Sequence, residues 1–287
     1  MAKRPIVVGV DGTTTALRAV ACAAEEARLR QLPLRLVHAA PYLGTPDDSG
    51  PARGRANAML ARARTVAHQI APEVSTEVVV VPDPQVSVLV DATADAELLV
   101  IGMISGAGAE IVLGSVTLDV TTGAHCPVTV VRGDRTASHT RSAPVLLGIE
   151  SVAADAAAVT VAFDDAARHG TGIVVVHVPG HSERLGDSAA AVREQLTPWS
   201  SQHPDVDVTV RIGQGNPGLA VLHESTAARH IVLGTRGRHA AVRAVLGSVS
   251  RFVLHHSLVP VTVVPRTLTA DRAAALAGDP HDRSQLW

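Results

Sequence analysis

The sequence predicts an α/β protein made of two tandem doubly wound domains, each with a five-stranded parallel sheet. Short unbroken runs of Val, Ile and Leu indicate strands that are covered on both faces. These runs alternate with Ala- and Leu-rich stretches of helical spacing, as expected when helices connect parallel strands. The pattern occurs twice in 287 residues, and domains of about 100–200 residues are usual. Two domains of one architecture therefore account for the chain.

Strand–helix alternation is clearest in the first half of the chain. Strands are predicted at 6–10, 34–39, 78–81, 98–101 and 128–131, and helices at 15–31, 55–70, 86–94 and 113–123. In a doubly wound sheet, ligands bind beyond the carboxyl ends of the strands. Asp11, the 38–39 segment and the start of the 102–115 loop all follow strand ends. These positions form the expected ligand site.

An internal repeat sets the domain boundaries. The segment IVVGVD at 6–11 matches VLLGIE at 145–150, and CPVTVVR at 126–132 matches VPVTVVP at 259–265. Matching segments in the same order indicate a duplicated domain. The predicted division is a first domain at 1–135, a polar linker at 132–143, a second domain at 143–266 and a tail at 267–287.

Composition excludes several classes of function. The formal net charge of −2 argues against nucleic acid as the main partner, because such binding needs clustered positive charge. No apolar stretch approaches the roughly 18 residues of a transmembrane helix, so no membrane insertion is expected. Two cysteines without a CxxC pair favour a reducing compartment. The expected location is the cytoplasm.

A glycine-rich segment in the second half predicts a phosphate site. It contains Gly234, Gly237 three residues later and, after nine further residues, Gly247, Ser248, Val249 and Ser250. Gly234 ends a strand, Gly237 lets the chain bend, and Ser248 stands where an N-cap belongs. The helix at 248–256 would direct its N–H groups and positive dipole end at an anion. Alternatively, these glycines are ordinary turn and cap residues; the preceding strand and the recurrence in the first half favour the anion site.

This arrangement resembles the universal stress protein family over nearly the whole chain, as two domains in tandem. Positions 234, 237, 247 and 248 fit that family's ATP-binding pattern without gaps. The resemblance implies an adenine nucleotide α-hydrolase-like fold. It also implies that an acid after the first strand contacts the ribose, which corresponds to Asp11 in the first copy and Glu150 in the second. The backbone at Ala39 and Val178 would contact the adenine.

The same resemblance implies which residues hold the phosphates of ATP, with Mg²⁺. In the first copy they are Gly102, Ser105, Gly106, Gly114, Ser115 and Val116, and in the second Gly234, Gly237, Gly247, Ser248, Val249 and Ser250. Each copy departs from the family pattern in a different place. Glu150 is one methylene longer than the usual aspartate. In the first copy Ser105 replaces the second glycine, unless Gly106 takes that role, and the loop reaches Gly114 and Ser115 one residue early. Asp11 favours the first copy and the gap-free loop favours the second, so the choice stays open.

The resemblance implies an ATP-responsive regulator of stress, hypoxia or dormancy. One alternative is an enzyme, either a slow ATPase or a protein that phosphorylates itself at a serine of the Gly-Ser helix start. Phosphoryl transfer needs positioned Mg²⁺ ligands and a placed nucleophile, and the sequence offers no evident general base. The other alternative is a scaffold that binds no nucleotide. Pairing through the edge strands at 128–131 and 261–264 is expected, either within one chain or in a homodimer.

Overall fold

A computed structural model describes residues 3–45, 50–103, 114–132, 142–179, 185–235, 246–265 and 268. The first half contains strands β1 (Ile6–Gly9), β2 (Leu34–Ala39), β3 (Thr76–Val81), β4 (Leu98–Met103) and β5 (Val128–Arg132). Its helices are α1 (Thr14–Arg30), α2 (Gly50–Ile70), α3 (Gln85–Ala92) and α4 (Ser115–Gly123). The predicted strands and helices are therefore present in the predicted order. The largest difference is that α2 begins five residues early, because Pro51 is tolerated in a first helical turn.

The second half repeats this arrangement. Its strands are β6 (Val145–Ile149), β7 (Ile173–His177), β8 (Val208–Ile212), β9 (His230–Gly234) and β10 (Val261–Val264). Its helices are α5 (Ala156–His169), α6 (Leu185–Gln202), α7 (Pro217–Glu224) and α8 (Ser248–His256), and a short 3-10 turn covers Ser225–Ala227.

Each half is a doubly wound parallel sheet. The strand order is β3-β2-β1-β4-β5 in the first half, with every pair parallel. The second half has the corresponding order β8-β7-β6-β9-β10, also parallel. The chain therefore changes direction across the sheet between β1 and β4, and again between β6 and β9. These switch points are where ligands bind in open α/β sheets, and the predicted fold class is confirmed.

The two halves join into one ten-stranded sheet through β5 and β10. These strands are antiparallel, and Thr129 lies opposite Thr262 with their hydroxyl oxygens 2.9 Å apart. At the end of β5, Arg132 donates to the carbonyl oxygens of Leu254 and His255, the last turn of α8. A cation at a helix C-terminus complements the helix dipole. The predicted edge-strand pairing thus occurs within one chain, and the carboxyl ends of the two halves point to opposite edges.

Helices cover both faces of the joined sheet. Helices α3, α4, α7 and α8 pack on one face over a single apolar core that includes Val128, Val130, Val261 and Val263 of the two joining strands. On the other face, α1 and α2 cover the first half and α5 and α6 cover the second, over separate cores. Among the described residues, no helix is both long and apolar enough to span a bilayer.

A buried cluster of charges joins α1 to α5 on that second face. The guanidinium of Arg30 lies 2.5 Å from Asp165 Oδ1 and 3.1 Å from Glu26 Oε2, and His169 Nε2 lies 2.9 Å from Glu26 Oε1. Burial raises the pKa of Glu26, but the hydrogen bond from His169 and the charge of Arg30 outweigh it and lower that pKa to about 2. The two halves are therefore tied by ion pairs as well as by the strand pairing.

Replacing Arg30 by Met tests this tie. The substitution leaves the carboxylates of Glu26 and Asp165 buried without their cation, and we expect the free energy of unfolding to fall by about 3–5 kcal/mol. Arg28→Met is the matched control, because Arg28 lies on the same helix in an exposed pair with Glu25, and its loss should stay below about 1 kcal/mol. Urea unfolding measures both, and equal losses would contradict a structural role for the buried cluster.

Candidate functional site

The first candidate site lies at the switch point between β1 and β4. Asp11 follows β1 and is exposed. Its Oδ1 accepts hydrogen bonds from the backbone N–H of Thr13 at 2.9 Å and from the hydroxyl of Thr13 at 2.7 Å. That hydroxyl oxygen in turn accepts from the backbone N–H of Ala16 at 3.1 Å and caps α1. The carboxylate is thus held in place at the carboxyl edge of the sheet while remaining open to solvent.

The residues predicted to contact adenine lie at the ends of the neighbouring strands. Ala39 ends β2, which pairs with β1, and Val178 follows β7, which pairs with β6. Each is preceded by a histidine that contacts the end of the first strand of its half. Nδ1 of His38 lies 2.8 Å from the carbonyl oxygen of Val10, while the corresponding contact of His177 is longer, at 3.5 Å. The adenine positions and the acidic positions are therefore at adjacent strand ends in both halves.

Gly102 and Gly234 have a packing role that the sequence pattern does not reveal. A Cβ on Gly102 would lie 2.6 Å from the carbonyl carbon of Thr15 and 2.8 Å from the backbone nitrogen of Ala16, in the first turn of α1. A Cβ on Gly234 would lie 2.6 Å from Oδ1 of Asp155, which precedes α5. The backbone at the start of α1 therefore leaves no room for a side chain at Gly102, whereas a methyl group at Gly234 would require the Asp155 carboxylate to shift.

The Gly-Ser helix starts expose their first-turn amide groups. Gly114 is the N-cap of α4 and Gly247 the N-cap of α8, and neither helix has a side-chain cap. Ser248 was predicted at the N-cap, and this is wrong by one residue, because the backbone of Gly247 already has the extended cap conformation. Ser115 and Ser248 are instead the first helical residues and are exposed. N–H groups without a side-chain cap, at the positive end of a helix dipole, can bind an anion.

The remaining residues of these helix starts hold the helices against the sheet. Val116 and Val249 are partly buried and pack against the apolar core shared by the two halves. Ser250 is buried, and its hydroxyl donates to the carbonyl oxygen of Gly234 at 2.7 Å. The backbone N–H of Gly247 donates to the carbonyl oxygen of Thr235 at 2.8 Å. Ser250 thus positions α8 against the end of β9. The predicted ligands Ser105, Gly106 and Gly237 lie outside the described residues.

Sequence reasoning missed Asp155, which lies in the switch-point crevice between β6 and β9. Its Oδ2 accepts hydrogen bonds from the backbone N–H groups of Glu150 at 2.7 Å and Ser151 at 3.4 Å. Burial, opposed in part by these bonds, raises the pKa of Asp155 to about 6. The available signal was an aspartate just before an Ala- and Val-rich stretch, which ordinarily indicates only a helix N-cap.

The described residues contain no group of three or more His, Cys, Asp or Glu side chains that could hold a metal ion. Among these residues, a cation such as Mg²⁺ is therefore not offered a dedicated protein cage. It would be held chiefly by the phosphates of a ligand, as is usual for Mg²⁺ in nucleotide sites.

Gly102→Ala tests the packing role of the strand-end glycine. The added methyl group meets rigid backbone, so the free energy of unfolding without nucleotide should fall by about 1–3 kcal/mol. Gly54→Ala is the control, because Gly54 is an exposed helix residue with nothing within 4 Å of the added carbon. Its free energy of unfolding should rise by about 0.5–1 kcal/mol. Urea unfolding distinguishes the two signs, and an unchanged Gly102→Ala would refute the close approach.

Asp155→Asn tests the buried carboxylate through pH. In the unfolded chain this carboxyl has the ordinary aspartate pKa of about 3.8, and the folded chain retains the proton until about pH 6. The charged form therefore destabilises the fold progressively over that window and fully above it. The Asn variant should be more stable than wild type at pH 8, by up to about 3 kcal/mol, and the difference should shrink at pH 4.5. Asp91→Asn, at an exposed position on α3, is the control. A difference independent of pH would contradict this account.

Comparison with known proteins gives the same match in both halves. The model of the Universal stress protein family matches residues 3–132 and again residues 143–265. A universal stress protein of Mycobacterium tuberculosis is 32% identical over 290 residues, covering 92% of this chain and 97% of the relative. One from Mycolicibacterium smegmatis is 32% identical over 286 residues, covering 90% and 96%.

A solved structure shows the same fold over both halves. A universal stress protein from Archaeoglobus fulgidus matches with a TM-score of 0.74 at 20% identity, covering 93% of this chain and 100% of that chain. A universal stress protein from the same organism, solved in complex with dAMP, is 32% identical, covers 45% of this chain and 98% of that chain, and has a TM-score of 0.39. The first likeness extends over both halves and shows the architecture alone.

Proposed function

This chain belongs to the universal stress protein family, and on that premise we propose that it binds ATP, with Mg²⁺, as a nucleotide-responsive regulator. The nucleotide lies at the carboxyl edge of the first half, with its ribose at Asp11 and its phosphates at the start of α4. The proposed setting is a cytoplasmic response to stress, hypoxia or dormancy, in which bound nucleotide alters contacts with other proteins or with a second copy of the chain.

The observation that carries this proposal is the exposed carboxylate of Asp11. A carboxylate is an acceptor-only group, and the adjacent hydroxyls of a ribose are donors that suit it. Because Thr13 fixes the carboxylate with two hydrogen bonds, little conformational entropy is lost when a ligand binds. A preset acceptor at a switch point favours a ligand with paired hydroxyl groups.

The start of α4 supplies the complementary feature. In a strand–helix–strand unit the helix runs back along the sheet, so its N-terminus lies at the carboxyl edge of the strands. Gly114 begins α4 without a side-chain cap, and Ser115 is exposed. Amide groups and the helix dipole at this end stabilise negative charge. Acceptor and anion site thus occupy one edge of the sheet, an arrangement that fits a nucleoside phosphate.

Nucleotide binding of ordinary affinity would suffice for a signal. A ligand present at 100 times its Kd stabilises the fold, raising the free energy of unfolding by roughly 2.7 kcal/mol. Stabilisation of that size is a large fraction of the total stability of a domain, which is about 5–15 kcal/mol. The fraction of chains in a nucleotide-bound form would follow the ATP concentration where that concentration falls towards the Kd, and it would set which partner contacts persist.

Titration calorimetry with Mg-ATP, after removal of any copurified nucleotide, tests the proposal. Asp11→Asn keeps the acceptor oxygen that holds Thr13 but removes the charge. We expect its Kd to rise about 10- to 100-fold, because hydrogen bonds to charged groups contribute about 1.5–3 kcal/mol. Asp91→Asn removes an exposed aspartate from α3 of the same half and should bind as wild type does. Absence of binding by wild type, or equal affinity of wild type and Asp11→Asn, would overturn the assignment.

A further inference from the structure

The crevice of the second half differs from that of the first in one buried charge. Asp155 is the N-cap of α5, yet its side chain makes no cap hydrogen bond to that helix. The carboxylate turns instead towards the strand ends, where it accepts from the N–H groups of Glu150 and Ser151 and lies against Gly234. It is 8% exposed. The carboxylate thus places a buried negative charge beside the strand end at Gly234.

The first half has no carboxylate at the equivalent point. There α1 is capped by the neutral hydroxyl of Thr13, and Gly102 packs against the backbone of Thr15 and Ala16. The repeat aligns Ala16 with Asp155, because each residue lies five positions after the acid that follows the first strand. One position in the duplicated domain therefore carries a methyl group in the first half and a buried negative charge in the second.

We propose that the Asp155 carboxylate excludes nucleotides from the second half, so that the chain binds one nucleotide, in its first half. The inference rests on the proposed function for the identity of the ligand. Phosphate charges in this crevice meet Asp155 in a poorly solvated environment, where like charges repel more strongly than in water. Glu150, half-buried at the end of β6, adds a second carboxylate to the same edge.

This repulsion opposes the attraction that the start of α8 offers to an anion. A helix N-terminus corresponds to about half a positive charge, screened and effective only over the first turn. Ionised Asp155 carries a full negative charge at these strand ends, where its Oδ2 accepts from the Glu150 N–H at 2.7 Å. The gap-free glycine pattern of the second half therefore coexists with an electrostatic barrier that the pattern does not include.

Counting bound nucleotides tests the inference. Equilibrium dialysis with Mg-ATP is performed at pH 8 on the full chain, on Asp155→Asn and Asp155→Ser, and on Asp164→Asn. Asn retains an oxygen for the Glu150 N–H, and Ser is a good N-cap, so two variants preserve the fold by different routes. Asp164 is the matched control, because it is a buried aspartate of the same helix that contacts His203 at 3.5 Å, away from the crevice.

We expect one nucleotide per chain for wild type and for Asp164→Asn, and two for folded Asp155→Asn or Asp155→Ser. Two nucleotides on wild type, or no gain in either Asp155 variant, would overturn the inference. If wild type binds none and an Asp155 variant binds one, the exclusion stands while the proposed function of the first half fails. If neither wild type nor the Asp155 variants bind nucleotide, both the exclusion and the proposed function are overturned.

Discussion

The pairing of β5 with β10 is the constraint on which the rest of the structure depends. Without it, each half would expose the backbone of a Val-rich edge strand, which promotes association with other chains. Thr129 and Thr262 occupy equivalent positions in the repeat and face each other across the pair, so a pseudo-twofold axis passes between them. This pairing brings the two halves together. The shared apolar core, the contact of Arg132 with α8 and the buried charges between α1 and α5 form because the halves meet in this way.

This geometry also determines where the candidate sites lie. Because β5 and β10 are antiparallel, the switch points of the two halves open at opposite edges of the sheet, and each can change without disturbing the other. The duplicated sites have diverged in charge: one presents an exposed, anchored carboxylate at Asp11, and the other contains a buried carboxylate at Asp155. On the function proposed above, the first site is the one suited to a nucleotide phosphate and the second is opposed to it.

Much of the fold could be predicted from the sequence because its signals are local. Unbroken Val and Ile runs predict buried parallel strands, and the repeat predicts two copies of one sheet. The identity of Asp11 as a strand-end acid was likewise local. The charge cluster was not predictable, because Arg30 and Asp165 are 135 positions apart and meet only through the strand pairing. Asp155 was missed because an aspartate before a helix is normally a cap, and only the fold shows its side chain turned towards β6 and β9.

The glycine pattern shows how a motif can combine two causes. Gly102 and Gly234 follow the family's pattern, yet the backbone of α1 leaves no room for a side chain at Gly102, and the Asp155 carboxylate lies close to Gly234, whether or not a ligand is bound. Ser250 similarly fits the pattern while its hydroxyl is engaged by Gly234. A sequence match alone therefore does not separate a ligand role from a packing role, and the packing around each glycine has to be known before a site is assigned.

Amide hydrogen exchange with and without Mg-ATP tests the central claim most directly, since it reports both halves of one chain at once. The account predicts slower exchange on adding nucleotide for residues 9–16 and 114–118 at the first switch point. Exchange for residues 148–155 and 247–251 at the second should be unchanged. Equal protection of both switch points, or protection of the second alone, would contradict it.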